Sequence, residues 1–188
     1  MTVGSPIAGL GNAFLGNNGS TVTVANFALG EAGAHATSPV AGTIVSWRVV
    51  TLGTGEYAIR VLRPVGGGNY TGAGRSAQTI SSGGDHTFSA SLPIQQGDLI
   101  GLDLPDNQGV NGLLVSGSSW SGFIPAVPEG ATATPNPVLA ETNWELAFNA
   151  VVQYPDTPTT PAKKKKCKKK HKRSAASAKK KKCKKKRR

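Results

Sequence analysis

Cys167 and Cys183 each sit inside the octet Lys-Lys-Lys-Lys-Cys-Lys-Lys-Lys, which occurs once after Ala162 and again after Ala178. A thiol surrounded by cations has its thiolate stabilised and its pKa lowered. Both cysteines are therefore expected to be reactive thiols, able to close a loop or cross-link chains in an oxidising setting. The lysines themselves carry a second chemistry. Lys163, Lys164, Lys165, Lys166, Lys168, Lys169, Lys170, Lys172 and Arg173, then Lys179, Lys180, Lys181, Lys182, Lys184, Lys185, Lys186, Arg187 and Arg188, place 18 positive charges in the last 26 residues without one acid. Lysine is a hydrated point charge with no bidentate readout. Such a tract is expected to bind phosphate or carboxylate polymers by counterion release, without sequence choice. Anionic cell-wall polymers, lipid headgroups and nucleic acid all fit that description. No aromatic or large apolar residue interleaves the lysines, so neither membrane insertion nor base stacking is expected.

Outside the tail, reactive groups are sparse. His86, in Gly83-Gly84-Asp85-His86-Thr87, has serines nearby, but no Gly-x-Ser-x-Gly elbow supports a triad, and the expectation is a surface turn histidine. Asp98 and Asp103 stand five apart, an odd spacing that puts them on opposite faces of a strand and argues against a glycosidase pair. Asp103, Asp106 and Asn107 supply oxygen ligands that suit calcium, the one cofactor the sequence hints at. The EF-hand spacing is missing, and such loops are ordinary turns. Cys167, His171 and Cys183 lack a fourth zinc ligand and a usual spacing. No catalytic residue and no resident metal is expected, and the chain reads as a non-enzyme.

Aromatic residues are the other candidates. Trp47 and Trp144 fall on apolar strand faces and read as core. Trp120 lies in Gly117-Ser118-Ser119-Trp120-Ser121-Gly122, and Tyr70 in Gly68-Asn69-Tyr70-Thr71-Gly72. Both segments read as loops, so Trp120 and Tyr70 are the expected ligand contacts, with saccharide stacking the chemistry in view. Arg48 and Arg60 are read as outward strand residues that offer an anion patch if their strands pair. Asn18-Gly19-Ser20 and Asn69-Tyr70-Thr71 match the glycosylation acceptor pattern.

These residues need elements to hold them. Period-two alternation marks strands at Thr21–Val24, Thr43–Thr51 (Val45, Trp47 and Val49 inward), Tyr57–Leu62, Thr87–Leu92, Leu99–Leu104, Leu113–Val115 and Asn143–Tyr154. Turn formers separate them, at Gly53-Thr54-Gly55, Gly66-Gly67-Gly68, Ser82-Gly83-Gly84-Asp85 and Asp106-Asn107-Gln108-Gly109. Nothing sustains a helical period. Roughly eight strands at this spacing predict an antiparallel β-sandwich of jelly-roll type, each sheet with one wet face. Three domains of use follow: a sandwich over 1–154, a Pro/Thr-rich spacer over 155–162, and a disordered cationic tail over 163–188.

Charge divides the same way. The chain has 22 basic and 10 acidic residues, and residues 1–162 hold only Arg48, Arg60, Arg63 and Arg75 against all ten acids, a net of −6. The alkaline pI therefore belongs to the tail. No apolar run reaches the length of a membrane span. Met1-Thr2-Val3-Gly4 opens without the basic and apolar regions of a secretory leader.

Three segments, Gly42-Thr43-Ile44-Val45-Ser46-Trp47-Arg48, Ala58-Ile59-Arg60-Val61-Leu62-Arg63-Pro64 and Leu92-Pro93-Ile94-Gln95-Gln96-Gly97-Asp98-Leu99-Ile100-Gly101-Leu102, together with the tail, carry a resemblance. Over residues 20–188 the chain resembles uncharacterised exported proteins of high-GC soil actinobacteria. The resemblance implies a jelly-roll body, a Lys/Cys-rich tail and an extracellular or cell-surface location. It implies no activity. A cytoplasmic DNA- or RNA-binding role through the tail is the alternative.

Overall fold

Backbone hydrogen bonds run from one strand to the next through nearly all of the body, as its Thr and Val content favours, with glycine supplying turns between them. The computed structural model describes residues 1–9, 11, 13–14 and 19–154. The linker and tail, with Cys167, His171 and Cys183, and the acceptor Asn18, lie outside the described residues. The strands are β1 (Thr2–Gly4), β2 (Ala13–Phe14), β3 (Val22–Ala28), β4 (Gly42–Thr51), β5 (Gly55–Gly66), β6 (Asn69–Ile80), β7 (Gly84–Ile94), β8 (Leu99–Leu104), β9 (Asn111–Phe123), β10 (Thr132–Ala133), β11 (Asn136–Leu146) and β12 (Phe148–Gln153). No helix occurs among the described residues.

Two antiparallel sheets form the sandwich. One has the order β1-β12-β4-β7, the other β10-β6-β5-β8-β3-β9-β11, with β2 added beside β9. Set aside β2, β9, β10 and β11, and count the remaining strands in chain order from first to eighth. The small sheet then reads first-eighth-third-sixth and the large sheet second-seventh-fourth-fifth. That interleaving is the jelly roll: apart from the β5–β6 hairpin, successive strands of the eight lie in opposite sheets. The additional β9 and β11 extend the large sheet beyond β3.

The core between the sheets is built by Val22, Val24, Ile44, Trp47, Val49, Tyr57, Ile59, Val61, Leu102, Leu104, Phe148, Ala150 and Val152, among others. Trp47 packs on Phe88 with ring centroids 4.8 Å apart. A bulge between Ile44 and Ser46 in the β4–β7 ladder changes which residues face in. Ile44 is buried and Val45 is not, against the expected inward Val45. One inserted residue shifts the period-two pattern by one.

The outer face of the large sheet is also covered, contrary to the expectation of a wet face. Ala25, Leu62, Leu99, Phe123 and Val127 form a second cluster there, with Phe27 and Tyr70 packed against it. The chain after β9 lies over it, pinned by Ala126 N–H to Thr21 O at 3.0 Å and Val127 N–H to Thr23 Oγ1 at 3.0 Å. All six residues of β8 are consequently buried.

The run Asn143–Tyr154 is two strands, not one. At Ala147 the chain leaves the large sheet as β11 and joins the small sheet as β12. Its alternation survives because Leu146 and Phe148 point into the same core from the two sheets. The Asn26 side chain spans the crossing, donating to Leu146 O at 2.9 Å and accepting from Leu146 N–H at 2.8 Å. The short β1, β2 and β10 and the long β6 escaped the sequence reading, and β9 was read only in part. β6 is small and polar, and it pairs along β5 through a hairpin whose Gly66, Gly67 and Gly68 all have positive φ (90°, 62° and 77°). Only glycine enters that region freely at three successive positions. β9 continues far past Leu113–Val115, with Gly117 (φ 85°) at an irregular stretch.

Candidate functional site

Every arginine of the body is tied to a carboxylate. Arg60 is buried, 4% exposed. Its Nε and Nη2 donate to Asp103 at 2.9 and 2.7 Å. Arg75 bridges Asp103 at 2.9 Å and Glu56 at 2.7 Å. Arg63 reaches Asp98 at 2.9 Å, and Asp98 also accepts from Gln95 N–H at 2.8 Å. Arg48 grips Asp85 at 2.9 and 2.5 Å. This hydrogen bond holds the Asp85 carboxyl below its usual range. The expected Arg48–Arg60 patch does not form: Arg48 lies on the small sheet and Arg60 on the large one, and neither is outward and free. An exposed pair contributes little. Arg48→Ala is expected to change the unfolding free energy by less than about 1 kcal/mol in urea titration.

The calcium reading fails on the same geometry. Asp103 is filled by Arg60, Arg75 and a 2.6 Å bond from Thr23 Oγ1. Asp106 accepts from Gly19 N–H at 2.8 Å. Asn107 sits at φ 55°, a turn residue. Among the described residues no three His, Cys, Asp or Glu side chains gather as metal ligands. His86 belongs to β7 rather than a turn, half-buried, with Nε2 2.9 Å from Ser82 O and its ring stacked 6.0 Å from Phe88.

The two aromatic candidates also move. Trp120 is on β9 and is 4% exposed, part of the main core. Its Ser/Gly neighbours read as a loop, but β3 and β11 flank them on both sides and make them a central strand. Tyr70 opens β6 and packs edge-on against Phe27 at 5.5 Å and Phe123 at 6.0 Å. Burial raises its phenol pKa. Trp144, expected in the core, is only half-buried and packs on the core margin. The expected burial of Trp120 and Trp144 is thus exchanged.

An open groove of about 600 Å³ is lined by Phe27, Ser119, Trp120, Ser121, Ala140, Glu141, Thr142 and Trp144. β3, β9 and β11 position it. In the β9–β11 ladder Glu141 stands opposite Trp120, Thr142 opposite Ser119, and Ala140 opposite Ser121. Glu141 is exposed, and among the described residues no cation reaches it. Aromatic surface, hydroxyls and one unpaired carboxylate suit a polar ligand with apolar faces. Sequence reasoning named Trp120 but missed Phe27, Glu141 and the change of role at Trp144.

A second cluster had no signal in the sequence. Glu145 is 0% exposed at the end of β11. Ser5 Oγ donates to its Oε1 at 2.5 Å and Ser118 Oγ to its Oε2 at 3.2 Å. Glu31 meets it carboxyl to carboxyl, and burial foremost, with Glu31 adding to it, pushes Glu145 up to about 7. Ser5 and Glu145 are 140 residues apart, and an acid between Trp144 and Leu146 reads as an ordinary solvated strand residue.

The body is thus a jelly-roll sandwich with an aromatic groove on its extended sheet. No protein family, curated protein or solved structure matches the chain.

Proposed function

We propose that the protein is a non-enzymatic, secreted or surface-held β-sandwich module that its polylysine tail tethers to anionic polymers, with the body's groove as a weak saccharide contact. The observation that carries this reading is the segregation of charge. Residues 163–188 hold 18 basic residues and no acid, whereas all four body arginines are consumed by carboxylates. A body of that kind has no cation to offer a polyanion, so attachment falls to the tail. For the body, the support is the groove: Trp144 and Phe27 offer ring surface, and Glu141, Thr142, Ser119 and Ser121 offer partners for sugar hydroxyls. Cell-wall polymers with phosphate or carboxylate groups satisfy both parts at once. The resemblance to exported actinobacterial proteins agrees with that setting.

The test compares the full chain with residues 1–162. The body keeps its own core, Met1–Pro155 being one compact unit. The full chain is expected to bind teichoic polymers, heparin and DNA, and the truncated chain none of them at moderate salt. Both chains are expected to bind neutral oligosaccharides weakly, with Trp144→Ala or Glu141→Ala abolishing that binding. Polyanion binding by the truncated body would overturn the tethering role. Oligosaccharide binding unaffected by either substitution would overturn the groove. Recovery of the native gene product solely from cytoplasmic nucleic acid would favour a DNA- or RNA-binding role instead.

A further inference from the structure

Glu31 lies in the β3–β4 loop, and its Oε2 is buried with no donor among the described residues. Glu145 already receives both nearby hydroxyl protons. Ser5 Oγ takes Ile7 N–H at 2.9 Å and gives its own proton to Glu145. Ser118 Oγ takes Gly30 N–H at 2.8 Å and does the same. With both serines committed, the donor the protein itself brings to Glu31 Oε2 is a proton on Glu145. We propose that Glu31 and Glu145 share a single proton, and that this proton latches the β3–β4 loop onto β9, β11 and the N-terminal strand.

The loop has three fastenings at this place: the carboxyl pair, Gly30 N–H to Ser118 Oγ, and Gly4 N–H to His35 O at 2.8 Å. Gly30 lies so close to Ser116 that a Cβ would collide with its carbonyl. The groups around the pair are otherwise neutral: Ser5 from the N-terminal segment and Ser118 from β9. Arg48 lines a cleft with Ala32, Gly33 and Ala34 and is held by Asp85, and His35 bonds Gly4 through its backbone. When the proton leaves, two carboxylates face each other out of water, and like charges at that range repel strongly. Glu145 is fixed in a strand, so the loop is the part that yields.

The sign of the effect follows. Between pH 4.5 and about 7 the folded chain binds a proton that the unfolded chain has released. Stability contributed by the pair is therefore full below 4.5, falls as pH rises through that window, and is level above it.

Hydrogen exchange of the Gly4 and Gly30 amides in the full chain, corrected for intrinsic rate, tests the latch. In the wild type, protection is expected to fall as pH rises from 4.5 to about 7 and to level off above that, by roughly two orders of magnitude at most for a displacement of this size. Glu145→Gln, whose amide donates to Glu31 at any pH, is expected to remove the step. Glu31→Gln, which donates to an ionised Glu145, is expected to move the step to lower pH. Infrared difference spectra of the wild type are expected to show a protonated carboxyl that disappears through the same range. Flat protection from pH 5 to 8, the same step in both variants, or no protonated carboxyl band at pH 6 would overturn the proposal.

Discussion

Trp120→Ala lowers the unfolding free energy of the protein by about 3–5 kcal/mol, and Trp144→Ala lowers it by clearly less. The difference follows from where each indole sits. Trp120 is 4% exposed on a strand with neighbours on both sides, in the main core. Removing it forfeits the burial of a large ring and leaves a void that the surrounding sheets fill only in part. Trp144 is half-buried at the margin, beside a groove that already admits water. Its truncation widens that groove rather than opening a closed cavity. Urea unfolding of the two variants separates the cases, provided the slope with denaturant stays constant. A larger loss for Trp144 would mean that the core lies elsewhere.

Binding of the full chain to duplex DNA falls with salt along a log–log slope of roughly −6 to −12, from −0.9 per phosphate neutralised and partial engagement of the tail. Raising salt fourfold then weakens binding by roughly four to seven orders of magnitude on the same rule. A tail with its residues scrambled and both cysteines changed to serine keeps nearly the same affinity and slope, since only charge density enters. Fluorescence anisotropy across a salt series measures both. A much weaker scrambled tail would show that the repeated octets recognise a particular partner. A slope near −2 would show that few of the 18 cations take part.

How far the sequence could be read depended on where the burying partner came from. β4, β5, β8 and β12 are apolar along one face, and their own alternation announced them. β6 and the far half of β9 are built largely of Ser, Thr, Gly and Ala, and only their neighbours make them strands. Trp120 shows the limit well. Within six residues it sees serine and glycine, and its apolar surroundings come from β3 and from the opposite sheet. Trp144 misled in reverse: its alternation with Leu146 is genuine, but β11 is the outermost strand of the large sheet, and the core thins there. Arg60 and Asp103 were read apart, as an outward arginine and a strand-end acid. They meet because β5 pairs with β8, and Ala58 stands opposite Asp103. The proton-sharing glutamates were invisible for the same reason, since a local window holds one member of the pair at a time.

The position of β12 has a mechanical consequence. This strand lies between β1 and β4, in register from Thr2 opposite Val151 and from Gln153 opposite Thr43. In the sequence it is the last described strand before the cationic segment. If that segment is anchored and the body is dragged by flow, tension enters along the axis of an interior strand. The ladders on both sides then bear the load together in shear, rather than opening one bond at a time from an end. Such a module would resist detachment through its fold as well as through its charge, and its lifetime under load would be set by the unfolding rate rather than by equilibrium stability.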